Sequence, residues 1–187
     1  MREIAKLGAT LAVVCAVAAG AIAGVNGAVK ATIEENNRLE AVRKRQQVFP
    51  AAQDFEARTL GGREIFVAKD GAGSLLGLVV TFAPRGYAGP IGMTIGISPD
   101  GTVAGLAISK LDQTETPGLG VKVTLAAFRD QFRGKGADAV LLKKDGGTVD
   151  AITAATISSR AVANGVREAL TWYRANFPQG LGGGPRG

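Results

Sequence analysis

Histidine is absent from the chain, and Cys15 is its single cysteine. These two absences remove whole classes of chemistry. Without histidine there is no Ser-His-Asp or Cys-His catalysis and no His-ligated haem. One thiol cannot hold a Cys-ligated iron–sulfur cluster, and the usual zinc ligand sets are missing as well. No intrachain disulfide can form, so cysteine usage does not report the redox compartment. Aromatic residues are only 5% of the chain. The net charge of +6 is scattered apart from "RKR" at 43–45. A basic stripe interleaved with aromatics, the footprint of a nucleic-acid binder, is therefore lacking, and no nucleic acid is expected as a partner. Any redox function requires an organic cofactor.

Hydrophobic residues make up 46% of the 187, enough for one folded domain with an appendage. From Leu7 to Val29, "LGATLAVVCAVAAGAIAGVNGAV" carries no charge. As a helix it is roughly 34 Å long, against a bilayer core of about 30 Å. Residues 1–30 therefore read as a transmembrane anchor, whose Ala and Gly suit close packing against other membrane helices. A cleaved signal peptide is the alternative, with "AIA" at 21–23 as its small-x-small site; the uncharged run continues past it to Val29. Val14 is too bulky before Cys15 for a lipoprotein signal. Basic residues flank both ends of the run, so charge does not fix the orientation.

Residues 31–50 contain "TIEENNRLEAVRKRQQV", free of Gly and Pro until Pro50, and predict a helical stalk. A domain is expected over 51–177 and a flexible Gly-rich tail over 178–187. Within the domain, "REIFVAK" (63–69) and "SLLGLVVTF" (74–82) flank "DGAG", a hairpin signal. "GPIGMTIGI" (89–97) and "GTVAGLAIS" (101–109) flank "SPDG", a second. In "IGMTIGI" the apolar residues alternate with Gly92, Thr94 and Gly96, leaving one strand face nearly bare for close approach. The apolar phase of the return strand shifts at Gly105, which predicts a bulge. "TLAAFRDQF" (124–132) reads as a short helix and "AVLLKK" (139–144) as a strand. Val162, Val166, Ala169, Tyr173 and Phe177 follow the spacing of one buried face on a helix from about Ile157 to Asn176. The expected class is α+β, antiparallel hairpins with helices packed on the sheet.

The chemistry concentrates where that helix begins, in "DAITAATISS" (150–159). Thr156 suits an N-cap. A helix start also offers unpaired N–H groups and a positive dipole end that favour a phosphate. Ala154 and Ala155 permit close approach, while Thr153, Ser158 and Ser159 add hydroxyls and Asp150 a carboxylate.

This stretch resembles the flavinylation motif of the FMN-binding domain family, an acidic residue followed by Ser/Thr-Gly-Ala-Thr and further hydroxyl residues. "LDQTETPGLG" (111–120) resembles the same family's Glu-Thr-Pro-Gly-Leu-Gly loop, and "GYAGPIGMTIGISPDGTVAGLAI" its preceding strands. The resemblance implies FMN esterified through its phosphate to Thr156, with Thr153, Ala154, Ala155 and Ser158 around the phosphate. It implies the ring against Glu115, Thr116, Gly118, Leu119 and Gly120. Ala154 stands where the motif has Gly, which matters if that position needs a positive φ. The short chain favours the branch in Rnf complexes, ion-translocating ferredoxin:NAD oxidoreductases. The C subunits of sodium-pumping NADH:quinone reductases are the other branch, and a cofactor-free membrane-tethered scaffold is the reading of another class. The family further implies an electron relay without independent catalysis, and partners among the other membrane subunits, one bearing a second covalent FMN. A separate flavin transferase using FAD is implied for maturation, along with an inner-membrane, single-pass location and an extracytoplasmic domain.

Overall fold

The computed structural model describes residues 2–87, 89–109 and 120–181. Helix α1 spans Arg2–Val48. The chain divides into two compact units, Met1–Val42 and Arg43–Gly187. In the first, the large apolar side chains Leu7, Leu11, Val13, Val14, Val17, Ile22 and Val25 are all exposed, and the helix is long and apolar enough to cross a bilayer.

The second unit is α+β. Five strands, β1 (Asp54–Leu60), β2 (Arg63–Lys69), β3 (Leu75–Phe82), β4 (Met93–Ile97) and β5 (Val103–Ile108), form one antiparallel sheet in the order β1-β2-β3-β4-β5. The expected hairpins are present. Strand β1 was not expected, because "DFEARTL" alternates poorly and stays largely exposed. Its signal lay in the turn that follows. Gly61 and Gly62 both have positive φ (58° and 73°), the requirement of a tight two-residue hairpin loop, and Leu60 pairs with Arg63 across it.

The bulge near Gly105 is present. Gly96 pairs with Gly105 but Ile97 pairs with Val103, so Ala104 is the extra residue. It lets Val103 and Leu106, three positions apart, share one face of the sheet. That face also carries Ile65, Val67, Leu78, Val80, Met93 and Ile95, and it packs on helix α3 (Thr156–Asn176). Val162, Val166, Ala169, Tyr173 and Phe177 are buried there, as their spacing predicts. The Tyr173 hydroxyl donates to Pro99 O at 2.9 Å, tying the far end of α3 to the β4–β5 turn.

The opposite face is the bare one, and the chain itself fills it. Val48, Phe49 and Ala52 pack with Ala68, Val79 and Ala107 in a second core. A Cβ on Gly96 would lie 2.9 Å from Phe49 Cε2, and one on Gly105 would lie 2.8 Å from Val48 O. The Arg45 guanidinium sits 4.0 Å above the Phe66 ring. Lys44 Nζ donates to Ser109 Oγ at 2.7 Å. Gln47, its amide oxygen turned toward Arg129, accepts from Nη1 at 2.6 Å and Nη2 at 3.1 Å. Arg129 Nη1 also donates to Leu106 O at 3.0 Å.

Between β5 and α3 lie a 3₁₀ turn (Gly120–Thr124), a short helix α2 (Ala126–Arg129) continued by a 3₁₀ turn (Asp130–Phe132), and a third such turn at Lys143–Asp145. Residues 139–144, expected as a strand, do not form one. Leu142 makes only an isolated parallel bridge with Val149. The amides of Asp145 and Gly147 both donate to Leu142 O, which closes turns instead of a ladder. The apolar residues that suggested a strand serve burial, with Val140 and Leu142 both 0% exposed.

Candidate functional site

Helix α3 starts at Thr156, so Ala155 is its N-cap (φ −129°, ψ 35°), and no side chain caps the end. Thr156 is therefore the first helical residue and not the cap expected of it. The hydroxyl that does bond at this end is Ser159, at 0% exposure. It donates to Ala155 O at 2.9 Å and accepts from Ile152 N at 3.0 Å. That pair of bonds pins the segment before the helix against its first turn. The Thr156 hydroxyl, freed from capping, has no hydrogen-bond partner among the described residues.

The first-turn N–H groups lack intrahelical partners, and the first turn holds no acidic residue. The positive end of the α3 dipole is thus not countered from within the helix.

Ala154 has φ 63°, the one positive φ among the described non-glycine residues. The position does demand the left-handed region, and an L-residue there costs roughly 1–2 kcal/mol. The strained turn presents Thr153 and Ala154, both exposed, beside Thr156, which is half-buried.

These residues line a cavity of about 310 Å³ together with Lys143, Lys144, Asp150, Ala151 and Ile152. Lys143 and Lys144 come from the turn misread as a strand, and sequence reasoning missed them. The signal was "KKDGG", a charged turn a few residues ahead of the motif. Three contacts hold this wall in place. Lys143 Nζ bonds Asp150 Oδ2 at 2.8 Å. Arg160, on α3, bonds Asp145 through Nε at 2.7 Å and Nη2 at 3.0 Å. The Asp150 amide donates to Gln131 Oε1 at 2.8 Å. The Arg160 hydrogen bond holds the Asp145 carboxyl below its ordinary pKa, so it stays ionised.

Ser158 and Ala155, expected around the phosphate, are both buried and neither lines the cavity. Glu115, Thr116, Gly118 and Leu119 lie outside the described residues, and Gly120 opens the first 3₁₀ turn. The bare strand face at Gly96 is closed by Phe49 and offers no room for a ring. The cavity at the α3 entrance brings together the Thr156 hydroxyl, Lys143, Lys144, Asp150 and the positive end of the helix, a set of groups suited to an anion.

A family model described as FMN-binding domain matches residues 86–171. Among curated proteins, the chain is 37% identical to the G subunit of the Na(+)-translocating ferredoxin:NAD(+) oxidoreductase complex of Acetobacterium woodii, covering 92% of this chain and 93% of that one. It is 35% identical to the G subunit of the ion-translocating oxidoreductase complex of Escherichia coli K12, over 90% of each chain. The corresponding G subunit of Methanosarcina acetivorans is 33% identical, over 93% of this chain and 96% of the other. Among solved structures, the C subunit of the Na(+)-translocating NADH-quinone reductase of Parabacteroides distasonis is 27% identical with TM-score 0.50, covering 59% of this chain and 60% of that one. The Shewanella oneidensis NqrC structure, at 24% identity, TM-score 0.51 and 65% and 67% coverage, shares the fold.

Proposed function

Because the chain belongs to the family of G subunits of ion-translocating oxidoreductase complexes, we propose that it is an electron-transfer flavoprotein subunit of a ferredoxin:NAD oxidoreductase of the Rnf type, carrying FMN linked through its phosphate to Thr156. One observation supports the linkage above all. The Thr156 hydroxyl, released from capping by Ala155, borders a cavity with two lysines at the positive end of α3. Bound there, FMN would supply the electron acceptance and donation that a chain without histidine and with one cysteine lacks. Thr156 would hold the phosphate, the α3 end would stabilise the negative charge the ester retains, and Ser159 keeps the entrance fixed. The ring is assigned to the Glu115–Gly120 loop on the family resemblance.

Among the described residues the cavity is lined by one carboxylate, Asp150, and Lys143 engages it. The described lining supplies no free carboxylate as a base for self-attachment and the chain has no histidine, which supports maturation by a separate transferase using FAD. The α1 segment supports a single-pass anchor; on the family resemblance the domain is assigned to the extracytoplasmic side, with the other membrane subunits of the complex, including a second covalent-FMN subunit, as partners. The quinone-reductase C subunit is the weaker alternative, since the identity to C-subunit structures is lower and covers less of the chain than that to G subunits.

Thr156→Val tests the linkage. Thr156 caps nothing, so the variant should keep its fold within about 0.5 kcal/mol. In-gel flavin fluorescence after co-expression with the transferase should vanish. A band as bright as wild type removes Thr156, and a wild-type chain with no fluorescence at all favours the scaffold reading.

A further inference from the structure

The cavity that Thr156 lines has an uneven set of charges around it. Among the described residues Lys143, Lys144 and Asp150 line it, and Asp145, next to Lys144 in the chain, pairs with Arg160. Asp145 takes two bonds from Arg160 on α3, at 2.7 and 3.0 Å. Asp150 takes Lys143 at 2.8 Å. Each acid is thus satisfied by one base. Lys144 lines the same cavity and makes no hydrogen bond or ion pair among the described residues. Its electrostatic neighbour is Asp145, already held by Arg160. The wall therefore carries one surplus positive charge, and Lys144 bears it.

Resting on the reading of Thr156 as the attachment point, we propose that Lys144 is the phosphate-binding cation of this site, pairing with the phosphoryl group of the flavin as it arrives and after it is linked. The charges match. A phosphate esterified on both sides keeps one negative charge, and the wall offers one uncommitted positive charge. The neighbouring contacts explain why Lys144 and not Lys143 takes the role. Freeing Lys143 would leave Asp150 ionised without its partner, whereas Lys144 breaks no bond in turning to an anion. The Asp145–Arg160 pair has a positioning function in this arrangement. It fastens the Lys143–Asp145 turn to α3 one helical turn beyond Thr156, so that cation and hydroxyl keep a fixed relation. A lysine serves here as a compact point charge, which suits a phosphate whose other side is occupied by the threonine ester.

The test compares two flavins that differ in the phosphate alone. Full-length chain carrying Thr156→Val, which cannot be linked, is titrated with FMN and with riboflavin, following flavin fluorescence. Adding Lys144→Gln should weaken FMN about tenfold, equivalent to about 1.4 kcal/mol, and leave riboflavin unchanged. Lys144→Arg should recover most of the FMN affinity, and Arg167→Gln, an exposed charge elsewhere on α3, should alter neither. Equal weakening of both flavins, or an unchanged FMN affinity, overturns the proposal.

A second readout uses the otherwise native chain with limiting transferase. Lys144→Gln should lower the flavinylated fraction by intact mass five- to tenfold while thermal unfolding stays at the wild-type temperature; a wild-type fraction overturns the assignment. The attachment reading fails separately. If peptide mapping finds flavin on another hydroxyl while Lys144→Gln still discriminates FMN from riboflavin, Thr156 falls and Lys144 stands.

Discussion

Two places in this protein bring a helix end against residues that are unusually small, and they are used in opposite ways. At the end of α1, Val48 and Phe49 fill the notch over Gly96 and Gly105, leaving contacts so close that a Cβ would collide. At the start of α3, Ala154 and Thr156 border an open, polar cavity of about 310 Å³. Small residues announce close approach in both cases. What differs is the supply of partners within the chain. The α1 end delivers a Phe ring and an apolar surface to cover, while the α3 entrance delivers hydroxyls, lysines and backbone amides. The lesson is that a bare face is filled by the chain itself when apolar residues are within reach, and stays open when the residues around it are polar.

The comparison breaks hardest at Phe49. Phe49→Ala empties the notch and should cost about 3–5 kcal/mol, read as a lower midpoint in urea unfolding of the full-length chain. It should leave flavin on any molecules that remain folded. A smaller loss is expected at Gly105, where Gly105→Ala drives a methyl against the Val48 backbone, which cannot turn aside as a side chain can. Overpacking of this kind costs about 1–3 kcal/mol, and unchanged stability would mean that the α1 end is loosely held. At the α3 entrance the sign reverses. Ala154→Gly relieves the strain at φ 63°, partly offset by the greater freedom of glycine in the unfolded chain. The net gain should be about 0.5–1 kcal/mol, a rise of about 1–4 °C in Tm, with flavinylation retained. A fall in Tm would show that the methyl contributes packing that outweighs its strain.

The same contrast explains what could be read in the sequence. Periodicity located β2 to β5, α3 and its buried stripe, because those elements bury one face and repeat accordingly. It missed β1, whose exposed edge has little to bury, and it mistook 139–144 for a strand because burial in a turn uses the same apolar residues. At the α3 entrance, residue types gave the hydroxyl and the helix end, and the family motif supplied the role proposed for them. They did not reveal that Ser159, through two hydrogen bonds, is the residue holding the entrance, nor that Lys143 and Lys144 line the same cavity as Thr156. Those facts depend on how a turn folds back, which no local pattern encodes. The bare face at Gly92 and Gly96 was legible as a place of close approach, but the occupant over Gly96 came from residues 48 and 49, far away in sequence, while Ser109 closes on Gly92.

The grip of Lys44 on Ser109 and of Gln47 on Arg129 sets the order in which this protein can be completed. Residues 44–49 leave the ribosome well before the strands they cover. The glycine notch does not exist until β5 has been made, about 60 residues after Phe49, and at roughly 5–20 residues per second that is a wait of about 3–12 s. The segment next to the membrane helix is thus made before the notch that seats it. Until then, Phe49 and the apolar floor of the notch are both uncovered, a state prone to association with other chains. Contacts between residues this far apart in sequence also slow folding. The interval between synthesis and docking is therefore when a newly made copy is most vulnerable to misassembly, and it closes only when the chain has returned to its own beginning.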